Sequence, residues 1–174
     1  MGKKNINWKE SSVLVTGGTG SFGKKFVETV LREKKPKRLS VLSRDELKQS
    51  EMKLLFPENK NPPMRYFLGD VRDYRRLVRA FNGVDIVVHA AALKQVPATE
   101  ADPFEAVQTN IMGTKNVIEA AIDANVKKVI CLSTDKAVNP INLYGATKLV
   151  AEKLAIQAKI ALQSPSLKRT IMGV

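Results

Sequence analysis

The chain is poor in the residues that staple, ligate or stack. It holds one cysteine, Cys131, and one histidine, His89. A single cysteine excludes an internal disulfide framework and a cysteine-built zinc site, so a reducing, cytoplasmic setting is the expectation. Aromatic residues make up only 6% of the chain, and no basic stretch carries interleaved aromatics. A stacking platform for single-stranded nucleic acid is therefore not expected. No apolar run approaches the roughly 18 residues that a membrane-spanning helix requires. No apolar stretch follows Met1-Gly2-Lys3-Lys4-Asn5 either, so neither a membrane partner nor a secretory signal is expected. Gly2 does not open a myristoylation signal, because Ile6 stands where a serine or threonine is needed.

Basic charge, by contrast, is abundant. The 174 residues carry 29 Lys and Arg against 17 Asp and Glu, a net charge of +12. That balance permits nucleic acid, anionic lipid or a phosphorylated small molecule as partner. The excess is spread along the chain, so most of it reads as solvated surface. With 44% hydrophobic residues the chain has the size and composition of one soluble domain that can bury a core without staples.

Apolar runs and helical periodicities alternate throughout. The spacing predicts strands over 12–16, 39–42, 64–68, 85–89 and 128–132. It predicts helices over 22–33, 45–56, 74–81, 103–125 and 143–162, with a proline-rich loop at 57–63. Ser164-Pro165-Ser166 should break the last helix, and residues 169–174 could open a sixth strand. Strands alternating with helices imply an α/β fold: a parallel sheet covered by helices on both faces, joined by right-handed crossovers. No linker divides the chain, so residues 1–174 are read as one domain.

The first strand runs into Thr16-Gly17-Gly18-Thr19-Gly20-Ser21-Phe22-Gly23, and a helix follows. Glycines at 17, 20 and 23 allow a tight turn and close approach of backbone N–H groups to a pyrophosphate, with the helix N-terminus adding partial positive charge. The position at the first strand–helix junction makes this a Rossmann-type dinucleotide loop, with Gly17, Thr19, Gly20, Ser21, Phe22 and Gly23 as candidate cofactor contacts. A Walker loop is excluded, because no Gly-Lys-Ser/Thr follows. The second strand ends in Ser43-Arg44-Asp45. Ser43 and Arg44 suit a 2′-phosphate and favour NADP, while Asp45 keeps NAD open. Asp70 and Val71 follow the third strand; Asp70 could accept from an adenine amino group or cap the next helix, for which Asp73 is the better cap. His89 and Cys131 read as packed strand residues, and no metal site is expected.

Glycine loop, Gly69-Asp70-Val71, His89-Ala90-Ala91-Ala92, Thr109-Asn110 and Tyr144-x-x-x-Lys148 occur in the order of the extended short-chain dehydrogenase/reductase superfamily, which this chain resembles. Two longer stretches, 91–97 and 133–148, look like those of the inverting UDP-N-acetylglucosamine 4,6-dehydratases of the pseudaminic acid pathway. The resemblance covers roughly residues 11–155. It implies NADP contacts from Ala90, Ala91, Tyr144 and Lys148, a UDP-sugar substrate, and substrate contacts from Lys94, Thr134, Lys136 and Tyr144. Tyr144 and Lys148 share one helix face, so the ammonium can acidify the phenol, which takes a proton from a sugar hydroxyl as hydride leaves. The resemblance gives Lys136 the role of base at C5, Asp135 that of acid toward the departing 6-hydroxyl, and Thr134 a bond to O4. Those roles need the Lys136 pKa lowered and the Asp135 pKa raised, as burial would do.

Other enzymes of the superfamily, such as nucleotide-sugar epimerases, remain an alternative, as does a non-catalytic nucleotide-binding fragment. The two long helices carry small-residue faces (Ala106, Gly113, Ala120, Ala121 and Ala124 on the first), and the resemblance to the superfamily implies that they form a homo-oligomeric four-helix bundle, with packing inside one chain as the alternative. Relatives in that family are about twice as long. The expectation is therefore a truncated chain that lacks C-terminal strands and the substrate domain and binds UDP-sugar poorly.

Overall fold

The computed structural model describes residues 6–161 and 170–173, with side chains through residue 158. The chain runs β1 (Ser12–Thr16), α1 (Ser21–Thr29), β2 (Arg38–Ser43), α2 (Glu46–Leu55), β3 (Met64–Leu68) and α3 (Tyr74–Phe81). It continues through β4 (Ile86–His89), α4 (Val96–Ala101), α5 (Pro103–Ala106), α6 (Gly113–Asp123), β5 (Lys128–Cys131), α7 (Leu143–Ala161) and β6 (Thr170–Gly173). The six strands form one sheet in the order β3-β2-β1-β4-β5-β6, and every pairing is parallel. This order reverses direction between β1 and β4, which opens a crevice at the carboxyl ends of those strands.

Two apolar layers show why the strands read as continuous hydrophobic runs. Val13 and Val15 of β1, with Leu39 and Val41 of β2, pack against Val27 of α1 and Met52 of α2. Leu14 and Leu42 point the opposite way, into a second cluster with Leu77 and Phe81 of α3, Val117 and Ala121 of α6, and Ala155 of α7. Burial on both faces requires apolar residues at every position rather than at alternate ones. Each such side chain contributes about 1.5–3 kcal/mol on leaving water. Asp73 caps α3, its carboxylate accepting from the Arg76 N–H at 2.9 Å.

The five expected strands are present within a residue of their predicted bounds. The sixth strand, expected over 169–174, is found at Thr170–Gly173, where it pairs with β5. The Ser164-Pro165-Ser166 break lies outside the described residues. The helix expected over 22–33 becomes α1 followed by a π-helical stretch, Val30–Lys34. The helix expected over 103–125 is interrupted by a second π-helical stretch, Val107–Met112, between α5 and α6. Helix α4 has no counterpart among the expected elements: its six residues are too short to show a period, although Pro97 in its first turn is a favourable helix start. The small-residue face turns inward, burying Ala106, Gly113, Ala120 and Ala121 within this chain. A Cβ on Gly113 would meet Val71 at 2.7 Å, so that face is used for close packing here.

Candidate functional site

At the carboxyl ends of β1 and β4 lies a cavity of about 370 Å³. Its floor is the glycine loop. Gly17 has φ +64° and donates its N–H to the Leu42 carbonyl at 2.9 Å, which turns the chain sharply out of β1. A Cβ on Gly17 would lie 2.8 Å from the Ala91 backbone, and one on Gly23 would lie 2.3 Å from Gly18. Two of the three motif glycines thus close-pack the fold. Gly20 faces only the Gly17 carbonyl, at 3.3 Å, and leaves its outer side open for a ligand to approach. Every residue assigned from sequence to the cofactor, except Tyr144 and Lys148, lines this cavity, as does Lys94.

The β2 tip forms one end of the groove. Thr19 Oγ1 and Ser43 Oγ lie 2.9 Å apart, both buried, and join the glycine loop to β2. Asp45 caps α2, accepting from the Lys48 N–H at 2.9 Å and pairing with Lys48 Nζ at 3.1 Å. The Lys48 N–H and side chain hold its carboxyl below the usual range. Its carboxylate is therefore engaged within α2. Arg44 reaches Asp70 at 3.6 Å, and Asp70 also receives the Arg72 guanidinium at 2.8 Å. Burial alone would raise the Asp70 carboxyl, but its hydrogen bonds from Arg72, with the charges of Arg72 and Arg44, keep it low.

Thr109 and Asn110 sit in the π-helical stretch before α6. Asn110 clamps the loop that carries Lys94: its Oδ1 accepts from Leu93 N–H and its Nδ2 donates to Leu93 O, each at 2.8 Å. The same amide donates to Thr147 Oγ1 of α7 at 3.0 Å. Thr109 lines the cavity, and its buried Oγ1 has no protein partner. A glycine cradle open at Gly20 and an unspent hydroxyl in the wall fit a polar, phosphorylated ligand.

The second half of the site stands beside β5, away from the cavity lining. Lys148 is buried, and its Nζ donates to Leu132 O at 2.5 Å. Burial pulls its ammonium below the usual value, opposed by Cys131 and Glu152. Tyr144 precedes it by one turn and is partly buried. Ser133 donates to the carboxylate of Glu152. Thr134, Asp135 and Lys136 form a short turn after β5, with Thr134 Oγ1 donating to Asp135 at 2.9 Å and Lys136 Nζ 3.6 Å from the same carboxylate. The expected raised Asp135 pKa is not found. Its side chain is 88% exposed, and the Thr134 hydroxyl, then the Lys136 charge, hold it below the ordinary value. A Cβ on Gly145 would fall 2.1 Å from the Lys136 carbonyl, so the bare Gly145 lets the start of α7 lie directly on this turn.

Residues 13–172 match the family described as polysaccharide biosynthesis protein. The chain belongs to that family. A relative, the inverting UDP-N-acetylglucosamine 4,6-dehydratase of Campylobacter jejuni, is 53% identical over 151 residues, which cover 87% of this chain and 44% of that enzyme. A UDP-glucose 4-epimerase of Rickettsia massiliae is 48% identical over 159 residues, covering 90% of this chain and 46% of the relative. Among solved structures, Pen from Bacillus thuringiensis superimposes with a TM-score of 0.90 at 44% identity, covering 97% of this chain and 52% of Pen. DesIV, a dTDP-glucose 4,6-dehydratase of Streptomyces venezuelae with NAD bound, gives a TM-score of 0.77 at 28% identity, covering 93% of this chain and 55% of DesIV. The resemblance read from the motifs is thus borne out over the N-terminal part of such enzymes. The chain spans about half the length of the curated relatives it matches.

In this member of the polysaccharide biosynthesis protein family, sequence reasoning missed Lys48, Thr109 and Glu152. Lys48 was findable as a base one turn after the Asp45 cap. Thr109 stood in a noted motif, but only the structure shows its hydroxyl unspent. Glu152 stands four residues after Lys148 on the same face of α7. Among the described residues no helix is long and apolar enough to cross a membrane.

Proposed function

We propose that the chain carries the dinucleotide-binding and catalytic-loop portion of a C5-inverting UDP-N-acetylglucosamine 4,6-dehydratase that prefers NADP. The observation that carries this reading is the groove itself: a glycine cradle whose β2 end presents Ser43, Arg44 and Lys48 while Asp45, the carboxylate that would favour NAD, is engaged as a helix cap. The name of the Campylobacter jejuni relative supports the dehydratase activity.

Held in this groove, a nicotinamide dinucleotide would supply a hydride acceptor for C4 of the sugar and a hydride donor for C6. Arg44 and Lys48 hold the 2′-phosphate, and the N–H groups at the start of α1 meet the pyrophosphate. Tyr144 takes the proton of the C4 hydroxyl, with Lys148 beside it, and Thr134 orients O4. Lys136, on its turn against α7, removes the proton at C5. Asp135 donates to the departing hydroxyl at C6. In the chain as described Asp135 is an exposed carboxylate, so its protonation depends on the substrate covering the turn. Lys94, in the cavity wall, meets the diphosphate of the sugar nucleotide in this reading. The polar partner is thus a UDP-sugar, and the exposed apolar residues Met112, Val150 and Ile156 support self-association through the π-helical stretch before α6 and through α7.

Incubation with NADP⁺ and enough UDP-N-acetylglucosamine to offset weak binding of the sugar nucleotide by this half-length chain should give the 4-keto-6-deoxy product, slowly. Lys136→Ala should still reduce the cofactor but release no dehydrated sugar. The name of the Rickettsia relative favours a second reading, a C4 epimerase. A product epimerised at C4 that retains its 6-hydroxyl would establish the second reading and overturn the first.

A further inference from the structure

His89 is the chain's one histidine, and it is buried at the end of β4 with both ring nitrogens engaged. Nδ1 lies 2.7 Å from Thr16 Oγ1, and Nε2 lies 3.1 Å from Thr114 Oγ1. The hydrogens in this network can be assigned by elimination. Thr114 Oγ1 is 2.6 Å from the Asn110 carbonyl, an acceptor only, so that contact uses the one hydroxyl hydrogen of Thr114. Toward His89, Thr114 can then only accept, which puts the ring hydrogen on Nε2. Nδ1 is left as an acceptor, and Thr16 must donate to it. Thr16 Oγ1 keeps its lone pairs as acceptors, and one of them takes the Ala91 N–H at 3.3 Å. Burial, reinforced by the nearby Lys148 charge, pushes the imidazole pKa down to about 3, which keeps this neutral form in place.

The far end of this hydrogen-bond chain is the groove wall. The Thr16 carbonyl also accepts the Ala90 N–H at 3.2 Å, so one residue holds both amides that follow β4. Thr16 immediately precedes Gly17, whose missing Cβ lets the Ala91 backbone approach. The floor and the wall of the groove are therefore tied through one hydroxyl whose direction is set by His89.

We propose that His89 is a positioning residue for the dinucleotide: through Thr16 it fixes the Ala90–Ala91 wall against the glycine loop, while its Thr114 arm serves only the stability of the fold. The proposal rests on the dinucleotide reading above. The two arms separate it from a purely structural role. Asparagine places a carbonyl oxygen near the position of Nδ1, and glutamine places an amide nitrogen near that of Nε2.

The test measures NADP⁺ affinity by equilibrium titration of the full chain and the ring nitrogens by long-range ¹H–¹⁵N NMR, where one histidine gives one pair of signals. The expected spectrum is that of an Nε2–H tautomer, unchanged between about pH 8 and about pH 5, a range across which an ordinary histidine titrates. His89→Asn and Thr114→Val should keep NADP⁺ affinity within about 3-fold of wild type while lowering the melting temperature. His89→Gln and Thr16→Val should weaken it by about 10-fold, and Thr16→Ser should restore it. An Nδ1–H tautomer, a titration near the ordinary histidine value, or equal effects of Asn and Gln on affinity would overturn the proposal. Wild-type chain that binds neither NADP⁺ nor NAD⁺ would overturn the dinucleotide reading and the positioning role with it, whereas the NMR signals would still decide the hydrogen-bond chain.

Discussion

The ammonium of Lys148 donates to the carbonyl oxygen of Leu132 at 2.5 Å, which ties the middle of α7 to the end of β5. One turn along α7, Glu152 accepts from Ser133, the next residue after Leu132. Two side chains four residues apart thus hold two consecutive residues of the strand exit. The turn that follows, Thr134 to Lys136, inherits its position from this double contact. Lys148→Met keeps the apolar stem and removes the ammonium. It should slow single-turnover reduction of the cofactor by about 10²–10⁴-fold, the range for loss of acid–base assistance. Stopped-flow absorbance of the reduced cofactor measures it, and a rate within about 3-fold of wild type would remove Lys148 from the chemistry.

Arg44 and Lys48 both line the cavity at the β2 end, Arg44 beside Asp70 and Lys48 beside Asp45. Loss of either charge-assisted contact should weaken NADP⁺ binding by about 10-fold and leave NAD⁺ binding unchanged. Parallel titrations of Arg44→Ala and Lys48→Ala with the two dinucleotides read this split. An equal loss for both dinucleotides would place the residues elsewhere than at a 2′-phosphate.

Gly145 is constrained by space. Gly145→Ala brings a methyl group to 2.1 Å from the Lys136 carbonyl, so the turn or the helix start must shift. We expect a stability loss of about 1–3 kcal/mol by denaturant unfolding, with loss of dehydration larger than loss of NADP⁺ affinity. Equal loss of both would mean that the change unfolds the sheet edge rather than displacing the turn.

The folded chain keeps His89 neutral down to about pH 3, whereas an unfolded histidine takes up a proton near its ordinary value of 6.5. Between these values the unfolded state binds more protons, so stability falls as pH falls through this window and is fully present above it. The loss should approach about 1.4 kcal/mol per pH unit below 6.5. Urea unfolding at about pH 7.5 and at about pH 5 should differ by about 2 kcal/mol in wild type, and by much less in His89→Asn.

The order of elements was legible because strands buried on both faces are apolar at every position. Val13-Leu14-Val15 serves two separate clusters and admits no other reading. The glycine loop was legible because only its spacing permits the Gly17 turn and the Gly18–Gly23 contact. The π-helical stretch at 107–112 was not, since six residues are too few to show a period of their own inside a longer helical pattern; with it went the placement of Thr109. Short α4 escaped for want of a period, and with it the bond from the Leu143 N–H to Glu100 Oε1 at 2.7 Å that helps start α7. The ionisation of Asp135 could not be read from a motif, because it depends on exposure, which the fold decides.

The most direct test of the central claim is an equilibrium titration of the purified chain with NADP⁺ and NAD⁺, followed by melting temperature or calorimetry. A dinucleotide groove with Ser43, Arg44 and Lys48 at its end predicts saturable binding of both, with NADP⁺ tighter by about 10-fold or more. Saturable binding of neither dinucleotide, in a chain that melts cooperatively, would contradict it.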